Sequence, residues 1–266
     1  MTQPLPHDAD SVTEIAFSPA SRLDGRVAVI AGGLGAIGRA AAKRFAALGA
    51  RVGILHRRAQ WEVDEFVATL PGAGHFGVTA SITDSAALAT AAREVRERVG
   101  VLHVLVNTAG FTRPVPVADL EGLDDALIDS IFASNWRGVF ATIRAFHPLL
   151  KESGDGLIVN VSSISAFTGV GSNLAYVAAK AGLDVMGRSL ARMMAPQVRV
   201  LTVSPGPVDS SFVPGRGSDF NEKTAAATPL KRIGLPEDVA AAIEACATTL
   251  RFATGQVIVI DGGRAL

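Results

Sequence analysis

Short apolar runs alternate with longer amphipathic stretches along most of the chain. The first run, at residues 27–31, is followed by a helical pattern over residues 36–48 and a second run at residues 52–55. Runs that are apolar on both faces and separated by helices are typical of a parallel sheet covered on both sides. The pattern therefore predicts an α/β fold.

The same alternation continues to the C-terminus. Further strands are predicted near Val78 and at residues 101–107, 157–163, 198–204 and 257–260, with helices at 85–99, through Phe132 and Phe146, at 174–195 and after Pro236. About seven strands result, so we predict a doubly wound, mainly parallel seven-stranded sheet with helices on both faces.

The domain boundaries follow from composition. Residues 1–22 hold three prolines and show no sustained period, which predicts a flexible arm. Because no linker interrupts residues 23–266, they are predicted to form a single domain. The longest irregular stretch, residues 205–229, is rich in Pro, Gly and Ser. A loop of that length commonly closes over a ligand, and we predict a substrate loop at about 207–229.

Composition excludes several classes of function. The 266 residues carry 25 basic and 25 acidic side chains, without the positive field that nucleic-acid binding requires. A single cysteine forms no internal disulfide, so the cytoplasm is the expected location. No apolar run approaches the ~18 residues of a membrane span, and the N-terminus lacks the features of a secretion signal. The five scattered histidines indicate no metal site.

A glycine-rich turn follows the first predicted strand directly. Gly32, Gly33, Gly35 and Gly38 lie between that strand and the next helix. Glycines let the backbone approach a pyrophosphate, and free N–H groups at the start of the helix would bind it. We therefore predict a nucleotide site, the alternative being a glycine-rich connector packed against the sheet.

The end of the second strand bears on the choice of nucleotide. An NAD protein is expected to carry Asp or Glu there, to bind the ribose 2′-hydroxyl, but this chain has Arg57 and Arg58. Two guanidinium groups bind a phosphate dianion well. The sequence favours NADP(H), with a solvated basic turn as the alternative.

The only tyrosine, Tyr176, lies four residues before Lys180 on a predicted helix. This spacing places both side chains on one face, where the ammonium would lower the pKa of the phenol and let it exchange a proton with an alcohol or carbonyl. Ser163 ends the preceding strand and could reach the same centre. An exposed Tyr and Lys pair is the alternative.

Over residues 24–263, several motifs of the chain resemble those of the classical short-chain dehydrogenase/reductase family and occur in the same order. The matching segments are the turn at 31–38, Asn107-Thr108-Ala109-Gly110, Asn135, Ser163, Tyr176 with Lys180, Pro205-Gly206-Pro207-Val208 and residues 259–263. The resemblance implies a Rossmann-type fold and hydride transfer between NADP(H) and a carbonyl or secondary alcohol.

The resemblance also implies catalytic roles. Tyr176 would be the general acid/base, and Ser163 would bind the substrate oxygen. Lys180 would hold the nicotinamide ribose and lower the pKa of Tyr176, while Asn135 would position a water of a proton relay. The implied cofactor contacts are Gly32, Leu34, Gly35, Ile37, Arg57, Arg58, Ser81, Ile82, Asn107, Ala109, Gly110, Tyr176, Lys180, Pro205, Val208 and Ser210.

The chain departs from the family pattern at a few positions. Ala31 replaces the usual Thr and Ala36 the middle Gly of the turn, and neither threatens dinucleotide binding. Thr108 replaces an Asn. Ser81 stands where the family often has an Asp near the adenine amine, and its hydroxyl can still accept a hydrogen bond there.

Substrate contacts are predicted from residues that follow strands four and five and from the substrate loop. They are Phe111, Arg113, Phe167, Asn173 and Phe212. The lining is mostly apolar, so the substrate itself is left open. Arg113 and Arg216 are candidates to meet an acidic group, with solvated loop arginines as the alternative.

Two classes of function therefore remain. The first is an NADP(H)-dependent ketone reductase or alcohol dehydrogenase, with a 3-oxoacyl-thioester reductase as its runner-up. The second is a non-catalytic dinucleotide-binding sensor, against which the intact catalytic set argues. No nucleic acid or membrane partner is expected. The family resemblance implies a homotetramer, and the strand at residues 257–260 would be an exposed edge in a monomer.

Overall fold

Seven strands form one parallel sheet in residues 22–266, which are the residues that the computed structural model describes. Except for Arg22, the predicted arm at residues 1–22 lies outside them. The strands are β1 (Val27–Ala31), β2 (Arg51–His56), β3 (Phe76–Thr79), β4 (Val104–Asn107), β5 (Gly156–Val161), β6 (Val198–Pro205) and β7 (Val257–Ile260). Their order in the sheet is β3-β2-β1-β4-β5-β6-β7, and every pair is parallel. The predicted fold class is confirmed.

Helices connect successive strands. They are α1 (Ala36–Ala47), α2 (Gln60–Ala68), α3 (Ser85–Val99), α4 (Asp125–Phe132), α5 (Gly138–Glu152), α6 (Ser165–Thr168), α7 (Leu174–Met194), α8 (Phe220–Ala227) and α9 (Pro236–Thr248). A π-helical turn at Ala133–Arg137 joins α4 to α5, so the long helix predicted through Phe132 and Phe146 contains a local irregularity. No described helix is both long and apolar enough to cross a bilayer.

Two apolar clusters cover the two faces of the sheet. Phe45 of α1 and Ile243 of α9 are fully buried in one cluster. Phe146 of α5 and Leu183 of α7 are fully buried in the other. Burial of each such side chain contributes roughly 1.5–3 kcal/mol. Because both faces are covered, strands such as β1 are apolar at every position, as the sequence pattern predicts.

The topology places the functional region. Chain order reverses at β1, which pairs with β2 on one side and with β4 on the other. In doubly wound sheets, ligands bind outside the carboxyl ends of the strands at this switch point. The turn after β1 and the segments after β2 and β4 therefore border one crevice.

One prediction about the loops is wrong in detail. Residues 205–229 were expected to be irregular, but α8 spans Phe220–Ala227 within them. The surrounding Gly, Pro and Ser residues mask the short helical pattern in the sequence. The substrate loop is therefore partly helical.

Candidate active site

The glycine-rich turn is built by close backbone contacts. Gly32 has a φ of +80°, and a Cβ there would lie 2.7 Å from the backbone nitrogen of Ala109. Gly35 is the N-cap of α1 and supplies no side-chain cap. At Gly38, a Cβ would overlap the carbonyl oxygen of Gly32. These glycines thus let the turn pack against itself and against the end of β4, and the first N–H groups of α1, which have no side-chain cap, are suited to bind an anion.

A cleft of about 520 Å³ lies over this turn. Eleven of the predicted ligand contacts line it: Gly32, Leu34, Gly35, Arg57, Arg58, Ser81, Ile82, Ala109, Gly110, Phe111 and Phe212. His56 and Thr83 also line it and were not predicted. The hydroxyl of Ser81 lies 2.9 Å from that of Thr83, so this pair occupies the predicted adenine end.

The end of β2 presents a positive charge to the cleft. Arg57 is exposed and forms no ion pair with any described residue. Arg58 pairs loosely with Glu62, at 3.5 Å. Burial lowers the pKa of His56, whose Nδ1 lies 3.1 Å from the carbonyl of Arg58. A neutral imidazole thus supports the turn, and the two arginines supply its charge.

Besides Tyr176 and Lys180, five predicted cofactor residues do not line the cleft surface. Ile37 packs against the core, and Asn107 is 3% exposed and donates its amide to Oδ1 of Asn160 at 2.9 Å. Pro205 and Val208 are buried, while Ser210 is partly exposed beside them. These residues shape the site by supporting the strand ends.

Thr108 has a role that the sequence did not reveal. Its hydroxyl and its backbone N–H both donate to the carbonyl of Ala31, at 2.8 and 2.9 Å. This double contact ties the end of β4 to the start of the glycine-rich turn.

The predicted catalytic side chains converge beyond the end of β5. Tyr176 and Lys180 lie on one face of α7, with Nζ of Lys180 5.6 Å from the centroid of the tyrosine ring. Nζ donates to the carbonyl of Val161 at 2.9 Å. Ser163 donates to the hydroxyl of Ser165 at 3.0 Å, and its side chain is close enough to Tyr176 to lower the pKa of the phenol. The structure thus brings the serine, tyrosine and lysine together.

The electrostatics of Tyr176 differ from the prediction. Burial raises the pKa of Tyr176 to about 12, and the nearby side chain of Ser163 and the positive charge of Arg216 oppose this shift. Lys180 is not among the causes of this shift, and burial lowers the pKa of Lys180 itself to about 8, with Asp184 opposing that change. The predicted lowering of the Tyr176 pKa by Lys180 is therefore wrong for the protein without cofactor, and Arg216 is the cation that acts on the phenol.

Asn135 lies in the π-helical turn between α4 and α5. Its Nδ2 donates to the carbonyl of Phe111 at 2.6 Å and to that of Ile131 at 2.9 Å. Its buried Oδ1 has no hydrogen-bond partner among the described residues, and a Cβ at Gly110 would lie 2.7 Å from it. The amide is fixed while one acceptor stays free at the edge of the site, which is unusual for a buried polar atom.

The predicted substrate contacts divide into two groups. Phe111, Phe167 and Phe212 are exposed around the site, and the Phe212 ring centroid lies 6.2 Å from that of Tyr176. Arg113 is exposed and contacts the carbonyl of Gly122 at 3.4 Å.

Asn173 does not face the site as predicted. It is 1% exposed, its Oδ1 accepts from the N–H of Tyr176 at 2.7 Å, and its Nδ2 donates to the carbonyl of Arg113 at 2.8 Å. The side chain therefore caps α7 and positions Tyr176, a local role typical of Asn at a helix start. We correct its assignment from a substrate contact to a positioning residue.

The nucleotide cleft and the buried tyrosine share one edge of the sheet, which defines the class of the protein as a dinucleotide-dependent oxidoreductase. Comparison with known families agrees, because residues 32–265 match the family described as Enoyl-(Acyl carrier protein) reductase. The chain belongs to the short-chain dehydrogenase/reductase family.

Curated relatives and solved structures align over nearly their whole length. A protein of Streptomyces violaceoruber, provisionally named ketoacyl reductase 2 of the granaticin polyketide synthase, is 36% identical over 89% of this chain and 95% of its own. The 3-oxoacyl-[acyl-carrier-protein] reductase FabG of Aquifex aeolicus is 32% identical over 91% and 98%. A glucose/ribitol dehydrogenase structure from Brucella melitensis has a TM-score of 0.85 at 30% identity, covering 91% and 98%.

Proposed function

We propose that the protein is an NADP(H)-dependent oxidoreductase that interconverts a ketone and a secondary alcohol, with Tyr176 as the general acid/base. The observation that carries this proposal is the buried Tyr176, which faces Lys180 and is close enough to Ser163 for that serine to lower the pKa of the phenol. A non-catalytic sensor would not require this arrangement.

The residues present fit a dinucleotide. Gly32 lets the turn pack closely against the backbone of Ala109, which keeps the uncapped start of α1 at the cleft, and the free Oδ1 of Asn135 provides a buried acceptor nearby. Arg57 and Arg58 would bind the 2′-phosphate of NADP(H) through charge-assisted hydrogen bonds. Lys180 would bind the nicotinamide ribose. When bound, the nicotinamide supplies or accepts the hydride.

The protein groups handle the proton and the substrate oxygen. Because the pKa of Tyr176 is raised, the phenol is protonated at neutral pH and can donate its proton to a carbonyl oxygen that is becoming an alcohol. Ser163 would donate to the same oxygen and stabilise its developing charge. In the reverse direction, these roles exchange. Asn135 would hold the water through which Tyr176 recovers its proton.

A 3-oxoacyl thioester is the second candidate substrate. Ketoacyl and 3-oxoacyl reductases are among the relatives, and the exposed Phe111, Phe167 and Phe212 provide an apolar surface for an acyl chain. A substrate panel that contains simple ketones and 3-oxoacyl thioesters distinguishes the two.

We also propose a cytoplasmic homotetramer. The β7 strand pairs only with β6 among the described strands, and Val259 at its centre is 44% exposed. A cleft of about 500 Å³ beside β7 is lined by Leu230, Val259 and Leu266. Such an apolar edge is suited to burial against another subunit. Sedimentation analysis of the purified protein tests the assembly.

The test of the proposed activity combines binding and turnover. The wild type is titrated with NADPH and NADH and then assayed with ketones and alcohols through the absorbance of the reduced nicotinamide. Tyr176→Phe should abolish turnover and leave cofactor binding intact. A Tyr176→Phe variant that kept wild-type turnover would overturn the assignment.

A further inference from the structure

Arg216 is fixed within the substrate loop. Its guanidinium carbon lies 4.2 Å from the centroid of the Phe220 ring at the start of α8. Its Nη1 donates to the carbonyl of Val208 at 2.9 Å. Val208 itself is buried and bridges to Gly234, so the acceptor is held by the fold. Contacts on two sides thus hold the guanidinium, in contrast to a freely solvated loop arginine.

The charge of Arg216 acts on the reactive phenol across the Phe212 side of the loop. Phe212 of the same loop packs beside Tyr176, with ring centroids 6.2 Å apart. The positive charge of Arg216 lowers the pKa of Tyr176, and Tyr176 in turn raises the pKa of Arg216. The mutual effect is consistent with a guanidinium that borders the substrate position.

The charge of Arg216 is uncompensated. No carboxylate of residues 22–266 lies within ion-pair distance of it. Asp209 acts on the pKa of Arg216 only from a distance, and its Oδ1 accepts instead from Asn221 at 2.9 Å. Arg216 is partly buried, and that burial lowers its pKa. A partly desolvated cation without a partner is costly unless a ligand supplies the anion.

The shape of the guanidinium selects the kind of anion. Its Nη1 is engaged with Val208, which leaves the edge formed by Nε and Nη2 for a ligand. Two parallel N–H groups on one edge match the two oxygens of a carboxylate. A neutral ketone would leave this edge unused.

We propose that Arg216 determines substrate specificity by binding a carboxylate on the substrate, so that the preferred substrates are oxo acids and the corresponding hydroxy acids. The inference rests on the proposed oxidoreductase function and adds the substrate class to it. The carboxylate is not altered: the carbonyl carbon gains the hydride, its oxygen gains the proton, and NADPH becomes NADP⁺.

The first experiment compares acids with their neutral esters. Wild type and Arg216→Gln are assayed with NADPH on 3-, 4- and 5-oxo acids, each beside its methyl ester. The wild type should prefer at least one acid, and Arg216→Gln should lower the acid-to-ester ratio of kcat/KM by about tenfold or more. Taking the ratio cancels any effect of Arg216 on Tyr176, because both substrates share that step.

Two further variants separate recognition from charge. Lys223→Gln removes an exposed cation of α8 that pairs with Asp219, so its acid-to-ester ratio should equal that of the wild type. Arg216→Lys keeps the charge and loses the planar edge, so it should restore only part of the ratio. An acid-to-ester ratio that Arg216→Gln leaves unchanged would refute the inference. Reduction of neutral ketones without any preference for acids would refute it while leaving the proposed function intact.

A binding measurement covers the case in which no tested ketone turns over. Pentanoate and pentanamide are titrated calorimetrically into the NADPH-saturated protein. Tighter binding of pentanoate by the wild type, lost in Arg216→Gln and kept in Lys223→Gln, would support carboxylate recognition even if the proposed reaction failed. Pentanoate that binds the wild type no more tightly than pentanamide would overturn it.

Discussion

Tyr176 is the only tyrosine in the chain, so the tyrosinate absorbance of the protein reports this one group. The perturbation is an alkaline titration of the cofactor-free protein. Burial raises the pKa of Tyr176 from 10.0 to about 12, a difference worth about 3 kcal/mol between the neutral and ionised forms. The native protein should therefore show little tyrosinate near pH 10, whereas the protein in guanidinium chloride should be half ionised there.

The same pKa shift affects stability. Because the folded state holds the proton more tightly, the contribution of Tyr176 to the free energy of unfolding is complete below pH 10 and is lost as pH rises toward 12. Far-UV circular dichroism recorded on the same samples separates titration of the native state from unfolding. A midpoint at or below 10 in protein that keeps its native circular dichroism would refute the reasoning.

Three variants identify the groups that act on the phenol. Ser163→Ala and Arg216→Gln should each raise the pKa of Tyr176 further, because each removes a favourable interaction with the phenolate. Lys180→Met should leave the pKa nearly unchanged in the absence of cofactor. A clear rise of the pKa in Lys180→Met would show that the ammonium, rather than Arg216, acts on the phenol.

Three other predictions follow from the site. Arg57→Leu should weaken NADPH binding by about tenfold to a hundredfold and NADH binding little, whereas the control Arg93→Leu on α3 should change neither. If titrations showed that Arg57→Leu keeps the wild-type preference for NADPH over NADH, the cofactor assignment would be contradicted. Gly32→Ala should abolish binding of both nucleotides. Gly25 has a similar φ of +73° but open space around it, so Gly25→Ala should cost only the backbone strain of ~1–2 kcal/mol. Thermal unfolding and nucleotide titration measure both effects, and equal nucleotide binding by the two variants would contradict the role of the glycine-rich turn. Burial lowers the pKa of Lys180 from 10.5 to about 8, so the unfolded state binds more protons than the folded state between these pH values. In denaturant titrations, the free energy of unfolding of the wild type relative to Lys180→Met should therefore rise by about 3 kcal/mol from pH 8 to pH 10.5. A free-energy difference that does not change with pH would contradict the burial of this amine.

Local sequence pattern was sufficient for the sheet. Strands such as β1 and β5 are apolar at nearly every position because helices cover both faces, and that pattern is visible without a structure. The glycine-rich turn was equally predictable, since close backbone contacts at Gly32 and Gly38 admit no other residue. These features depend on neighbours in sequence or on a recurring topology.

Features that depend on depth and on distant contacts were not predictable. The raised pKa of Tyr176 reflects how completely the fold buries it, and the coupling to Arg216 depends on how a long loop returns to α7. Asn173 follows a strand and was predicted to face the substrate, but it caps α7 instead. A residue pattern identifies which groups are present, whereas only the fold determines their depth and their partners.

The most direct test of the central claim is transfer of deuterium from NADPH that carries two deuterium atoms at the nicotinamide C4, so that the transferred hydrogen is labelled whichever face is used. With a ketone that the wild type reduces, the account predicts one deuterium on the carbinol carbon of the product, detected by mass spectrometry. Tyr176→Phe should form no labelled alcohol at a comparable rate. A product without deuterium, or equal transfer by Tyr176→Phe, would contradict hydride transfer with Tyr176 as the acid.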